Sequence, residues 1–103
     1  MQISSQPYPY SAKTLQGYGK IVVGVTAIPV NFSSTVKNIT ISADKDNTGI
    51  LYVGNSTVTS AGANAFTYLG PGDVMSLDYD DITSKLYIVS TVAAQAFWLG
   101  GLS

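Results

Sequence analysis

Residues 37–53 read Lys-Asn-Ile-Thr-Ile-Ser-Ala-Asp-Lys-Asp-Asn-Thr-Gly-Ile-Leu-Tyr-Val. In the first seven, Lys37, Ile39, Ile41 and Ala43 fall on one side of a period-two pattern and Asn38, Thr40 and Ser42 on the other. Successive side chains of a strand point to opposite faces, so the pattern predicts a β-strand with one apolar and one wet side. Asp44, Lys45, Asp46, Asn47, Thr48 and Gly49 follow. These turn formers predict a hairpin into a second strand over 50–53, with Gly49 taking a positive φ.

The same β language extends in both directions. Residues 54–69 are rich in Ser, Thr, Ala and Asn and read as an exposed loop with room for a short strand. Gly70, Pro71, Gly72 and Asp73 match a type II turn, in which Pro sets φ at the second place and Gly takes the positive φ at the third. After it Met75, Leu77 and Tyr79 alternate with Ser76 and Asp78, residues 80–84 turn, and 86–89 are apolar on both faces. A strand apolar on both faces is central or lies in an interface. In 94–99 Phe97 and Trp98 are adjacent, so an extended chain sends one ring to the core and the other to a contact surface.

Towards the N-terminus, residues 21–28 are rich in Val and Ile up to Pro29. Residues 1–19 hold no period of 2 or 3.6, and Pro7 and Pro9 bracket Tyr8, with Tyr10 and Tyr18 close by. This predicts an extended N-terminal arm over 1–19 and a β domain over 20–103. The Pro-Tyr-Pro-Tyr run is stiff, so docking it onto a neighbour costs little entropy. No helical stripe of useful length occurs. The expected fold is all-β, a small antiparallel β-sandwich or jelly-roll-like domain.

Composition narrows the function. The 103 residues include no His, Cys, Arg or Glu, which removes the usual general bases, thiol nucleophiles and zinc ligands. Enzymatic activity and a bound cofactor are therefore not expected. Charged residues make up 11% of the chain, against about 25% in ordinary soluble domains, and the net charge is -1. Such a surface repels its own copies weakly, which points to a face covered by another subunit or a partner. Five scattered lysines form no basic stripe for nucleic acid. The start of the chain lacks a basic segment leading into an apolar run, and 92–102 is too short and too Gly-rich to span a bilayer. These features predict a protein made in the cytoplasm, with neither membrane nor nucleic acid as a partner.

Four local patterns resemble chemical sites and fall short. Residues 44–49 begin like a calcium loop, but position twelve is Asn55 where a bidentate Glu belongs. Gly17, Tyr18, Gly19 and Lys20 lack the spacing of a phosphate loop. Asp78, Asp80 and Asp81 could suggest a carboxylate pair, yet adjacent carboxylates in a strand end diverge and serve better to protect a sheet edge. Sequons at Asn31, Asn38 and Asn55 are expected by chance in a chain this rich in Asn, Ser and Thr. No metal site is predicted.

The order Ile41-Ser-Ala-Asp44, Asn47-Thr-Gly49, Leu51-Tyr-Val-Gly54, Leu69-Gly-Pro-Gly-Asp73, Ser76-Leu-Asp78 and Leu86-Tyr-Ile-Val89 resembles small tailed-bacteriophage virion proteins of the capsid decoration, cement or head-fibre type. The resemblance implies a β-sandwich assembled as a homotrimer on the outside of a phage head, with the major capsid protein as partner and no catalysis. The matched residues are structural and carry no binding role. Interface roles are expected instead for Tyr8, Tyr10 and Tyr18 in the arm and for Phe97 or Trp98 near the C-terminus. Two alternatives stand beside this: a tail, baseplate or head-fibre component, and a small carbohydrate-binding module for host adsorption that uses Tyr and Trp rings as sugar platforms.

Overall fold

The computed structural model describes residues 15–31, 36–78 and 86–102. They form eight strands: β1 (Leu15–Val23), β2 (Ile28–Pro29), β3 (Asn38–Ala43), β4 (Leu51–Gly54), β5 (Ala65–Leu69), β6 (Val74–Asp78), β7 (Tyr87–Ser90) and β8 (Gln95–Leu102). No helix occurs among the described residues. One sheet has the order β1-β8-β3-β6 and the other β2-β7-β4-β5. The antiparallel ladders are nested: β1 pairs β8, β2 pairs β7, β3 pairs β6 and β4 pairs β5. The chain is thus one long hairpin, its tip between β4 and β5, folded at corners so that successive segments alternate between two sheets. This is the jelly-roll form of the β-sandwich, as expected from the run of short strands without helical periodicity.

Alternation puts the core between the sheets. In β3, Ile39, Ile41 and Ala43 are buried and Asn38, Thr40 and Ser42 lie on the outer face. In β8, Phe97 stands opposite Ile21 and Ala43, and Leu99 opposite Ile41. Leu51, Val53 and Ile88 meet them from the second sheet. Gly101 also belongs to this layer, for a Cβ there would lie 2.8 Å from Val36 Cγ1, so glycine is what lets Val36 pack into the core. The doubly apolar run was expected to be central or to lie in an interface, and it is central: β7 lies between β2 and β4 with Ile88 and Val89 both buried.

The hairpin expected at 44–49 is corrected by the topology. β3 and β4 lie in different sheets, so 44–49 is a corner that crosses the sandwich. Gly49 does not take the positive φ expected of it. Space is what requires glycine here, since a Cβ would come within 2.5 Å of Thr91 Oγ1 and 2.7 Å of Val92 Cγ2. The type II turn over 70–73 is present, with Gly72 at φ +82 and Asp73 N–H donating to the Gly70 carbonyl at 3.0 Å. It too is a corner, joining β5 to β6 across the sheets. The two corners are hydrogen-bonded side by side through Ala43, Gly72 and Asp73.

One boundary also shifts. Residues 15–19, expected in the arm, belong to β1, where a register irregularity between Gly17 and Gly19 accompanies φ +79 at Gly19. A bulge with a left-handed glycine lets an edge strand keep pairing while it twists. The rest of the expected arm, 1–14, lies outside the described residues, as do the turn expected over 80–84 and Tyr79.

Candidate functional site

The outer face of the first sheet is organised around Trp98. Even-numbered residues of β8 point outward, and Trp98 is 47% exposed while its neighbour Phe97 is fully buried. Lys20 of β1 and Ser42 of β3 flank it in register. The indole Nε1 donates to Asp44 Oδ1 at 3.1 Å, and Asp44 Oδ2 accepts the Asp46 N–H at 3.3 Å. Lys20 Nζ lies 6.0 Å from the centroid of the Trp98 ring, at the limit of cation–π range. The hydrogen bond from Trp98 holds the Asp44 carboxyl below its ordinary value, against the opposing effect of burial and with lesser help from the Asp46 N–H, Lys20 and Lys45. The ring is therefore oriented before any partner arrives.

Beyond the ring the sheet surface drops to backbone. Gly100 follows on the outer face with Gly17 and Thr40 opposite it in β1 and β3. A Cβ at Gly17 would meet nothing within 4 Å, and one at Gly100 only the Gln16 carbonyl oxygen at 3.5 Å. Polar groups border this depression on the β6 side: Thr40 and Ser76 hydroxyls are 3.3 Å apart, and Asn38 Nδ2 donates to Asp78 Oδ1 at 3.0 Å. Exposed Leu15, Val22, Val74 and Leu102 complete the face.

A buried amide pair holds Asp44 in place. Asn47 donates Nδ2 to the Ala96 carbonyl at 2.8 Å and accepts the Ala96 N–H on Oδ1 at 2.9 Å, acting as a missing strand residue beside β8. Gln95 Oε1 accepts the N–H groups of Thr48 and Gly49 at 2.6 and 2.9 Å, and its Nε2 donates to the Ala93 carbonyl at 3.0 Å. Buried backbone amides need partners, and in this corner no sheet ladder supplies them.

A second surface lies on the other sheet. β5 is its edge strand, and Phe66 and Tyr68 are 68% and 63% exposed on the outer face, with Tyr52 of β4 beside Tyr68. The segment 55–64 folds back here. Val58 is buried against Gly54, and the Gly62 backbone sits on the Tyr52 ring, where a Cβ would lie 3.1 Å from the ring carbons. Asn55 Oδ1 and Thr59 Oγ1 tie the segment by accepting the N–H groups of Thr57 and Ala63.

The interface residues expected from sequence are dispersed. Tyr8 and Tyr10 lie outside the described residues. Tyr18 is in β1, packed partly against the core with its hydroxyl donating to Gln16 Oε1 at 2.9 Å, so it is not an arm residue. Phe97 is in the core, which leaves Trp98 as the exposed ring of that pair. The sequence reading missed Phe66 and Tyr68, although their alternation with Thr67 and Leu69 was visible, and it missed the Asp44–Trp98 bond, which spans 54 positions and has no local signal. No group of three or more His, Cys, Asp or Glu side chains converges among the described residues.

Fold and surface together define a small jelly-roll protein with two exposed apolar faces. Compared with known proteins, the chain matches no family profile, no curated protein and no solved structure.

Proposed function

We propose that the chain is a structural virion protein of the capsid-decoration type, a homotrimer that binds the major capsid protein on the outside of a tailed-phage head and stabilises the shell. One observation carries this reading: among the described residues a charge-poor jelly roll collects its large exposed apolar side chains, Val25 and Val92 in loops aside, on two surfaces, one around Trp98 and one at Phe66 and Tyr68. Contiguous exposed apolar patches on a small protein are sites of association. One surface serves contacts between copies and the other contacts with the shell. A lattice of identical sites turns weak contacts from a trimer into firm binding by avidity. Jelly rolls recur in viral capsids, which supports the reading by analogy only. The test is co-sedimentation of purified protein with phage heads stripped of it, together with light scattering across concentration. Saturable binding by a trimer supports the proposal; a monomer that stays in the supernatant rejects it.

A second reading is favoured by the Trp98 platform itself. An oriented indole beside an open backbone floor and a rim of hydroxyl and amide groups suits the apolar face and hydroxyls of a sugar ring. Reproducible binding on a glycan array, abolished by Trp98→Ala with the fold intact, would replace the first reading with this one.

A further inference from the structure

Each sheet edge but one carries a device against stray pairing. β1 has the Gly17/Gly19 bulge and Lys20, β2 is two residues long and ends in Pro29, and β6 ends in Asp78. Bulges, charges, proline and shortness are the usual ways of blunting an edge. β5, Ala-Phe-Thr-Tyr-Leu over 65–69, has none of them. The ladders also show which of its groups face outward. Ser90 N–H is given to the Gly24 carbonyl, away from β4, so Leu51, opposite Ser90, turns its own amide groups toward β5. Leu51 and Val53 then exchange bonds with Leu69 and Thr67. Among the described residues, the N–H and C=O of Phe66 and Tyr68 are left on the free edge, on the same residues whose rings are exposed.

We infer that this edge takes residues 1–14 of a second copy as an added antiparallel strand, with Tyr8 opposite Tyr68 and Tyr10 opposite Phe66. The inference rests on the docking of copies proposed above and not on the phage head. Proline alternation in the arm sets the parity. Along a strand, N–H groups point alternately to the two sides, so Pro7 and Pro9 remove donors from one side only, and Tyr8 and Tyr10 keep theirs on the other. The added strand can therefore bond to β5 while its far edge is blocked by proline, which stops the sheet from growing. Residues directly opposite share a face, which brings two aromatic pairs together on the outside of the sheet. Neither segment carries a charge at these positions.

Reach and placement make the donor another copy. The arm leaves from Leu15 on β1, the first sheet's edge on the β2 side, whereas β5 lies at the β6 side of the sandwich. With Tyr10 opposite Phe66 only residues 11–14 remain to bridge back to Leu15, about 17 Å when fully extended, whereas β5 of the same copy lies three strand spacings and one sheet separation away, about 18 Å even in a straight line through the core. A donor at one edge and an acceptor at the other make a head-to-tail contact, the kind that closes into a ring such as a trimer.

The test is amide exchange followed by NMR on the full chain, with its mass measured in the same samples. In the assembled wild type, Phe66 and Tyr68 amides should exchange at least ~100-fold more slowly than in samples diluted to monomer, as for other paired strands. Tyr10→Pro, which removes a donor facing β5, should open both amides and lower the mass, whereas Ser11→Pro, of the same parity as Pro7 and Pro9, should leave both protected. Open amides in the assembled wild type overturn the inference. So does an equal response to the two proline variants, or protection in a monomer at every concentration, which would place the arm on its own copy. Head binding is scored separately: a chain that binds heads with open β5 amides sinks only this inference, and one that pairs as described yet ignores heads sinks only the virion reading.

Discussion

Trp98 donates its indole N–H to Asp44 Oδ1 at 3.1 Å, joining the centre of β8 to the corner that carries the chain from one sheet to the other. The bond ties an exposed ring to the fold, and it makes the charge of one carboxylate readable through the single tryptophan of the chain.

That pair gives a pH signature. Trp98 and the neighbouring donors hold the folded-state pKa of Asp44 below its unfolded value, so the contribution to stability is present above the unfolded value and is lost as pH falls through the folded one. Trp98 fluorescence should change as pH falls, with a midpoint below the ordinary carboxylate value. Asp44→Asn should abolish the transition. A midpoint at or above the ordinary value would refute the coupling.

The Phe97–Trp98 dipeptide should split by side. Phe97→Ala empties a fully buried site and should cost about 3–5 kcal/mol, a large part of the stability of a small domain. Trp98→Ala loses a surface ring and one hydrogen bond and should change stability by at most about 1 kcal/mol. Urea unfolding of both variants checks the contrast, which disappears if Trp98 is instead packed inward.

The amide pair in the corner should matter more than its polarity suggests. Gln95→Ala orphans the Thr48 and Gly49 N–H groups, and Asn47→Ala orphans the Ala96 N–H, so each should cost about 1–3 kcal/mol. For a domain of this size each kcal/mol lowers Tm by about 4–8 °C. Thermal melts within error of the wild type would show that the corner is held by something else.

Glycine substitutions should separate space from conformation. Gly49→Ala forces a Cβ against Thr91 and Val92 and should cost about 1–3 kcal/mol, and Val92→Ala should recover part of it by clearing the Cγ2 contact. Gly72→Ala meets open space but keeps φ +82, so its cost of about 1–2 kcal/mol should resist any neighbouring change. Ala94, at φ 60, is the reverse case: Ala94→Gly should stabilise by about 0.5–1 kcal/mol once the glycine's added chain entropy is counted. Chemical denaturation of the four variants orders them.

The sequence by itself determined the strands with a clear period and their faces, though not β5 or the start of β1. Ile39, Ile41 and Ala43 alternate with Asn38, Thr40 and Ser42, and a period of two has only one way to bury its apolar half. The same logic exposed one ring of Phe97 and Trp98, and Pro71 with Gly72 set a type II turn because φ is a local property. Only the tertiary structure decided which strands pair. Asp44 to Gly49 carries the residues of a hairpin, and a hairpin and a corner ask for the same local chemistry; what separates them is whether β4 gains more by pairing with β3 or by joining β5 and β7 across the core. The site was illegible for the same reason. Asp44 meets Trp98, and Asn47 meets Ala96, across about half the chain, and contacts at that separation follow from the nesting of the ladders, which no local pattern encodes.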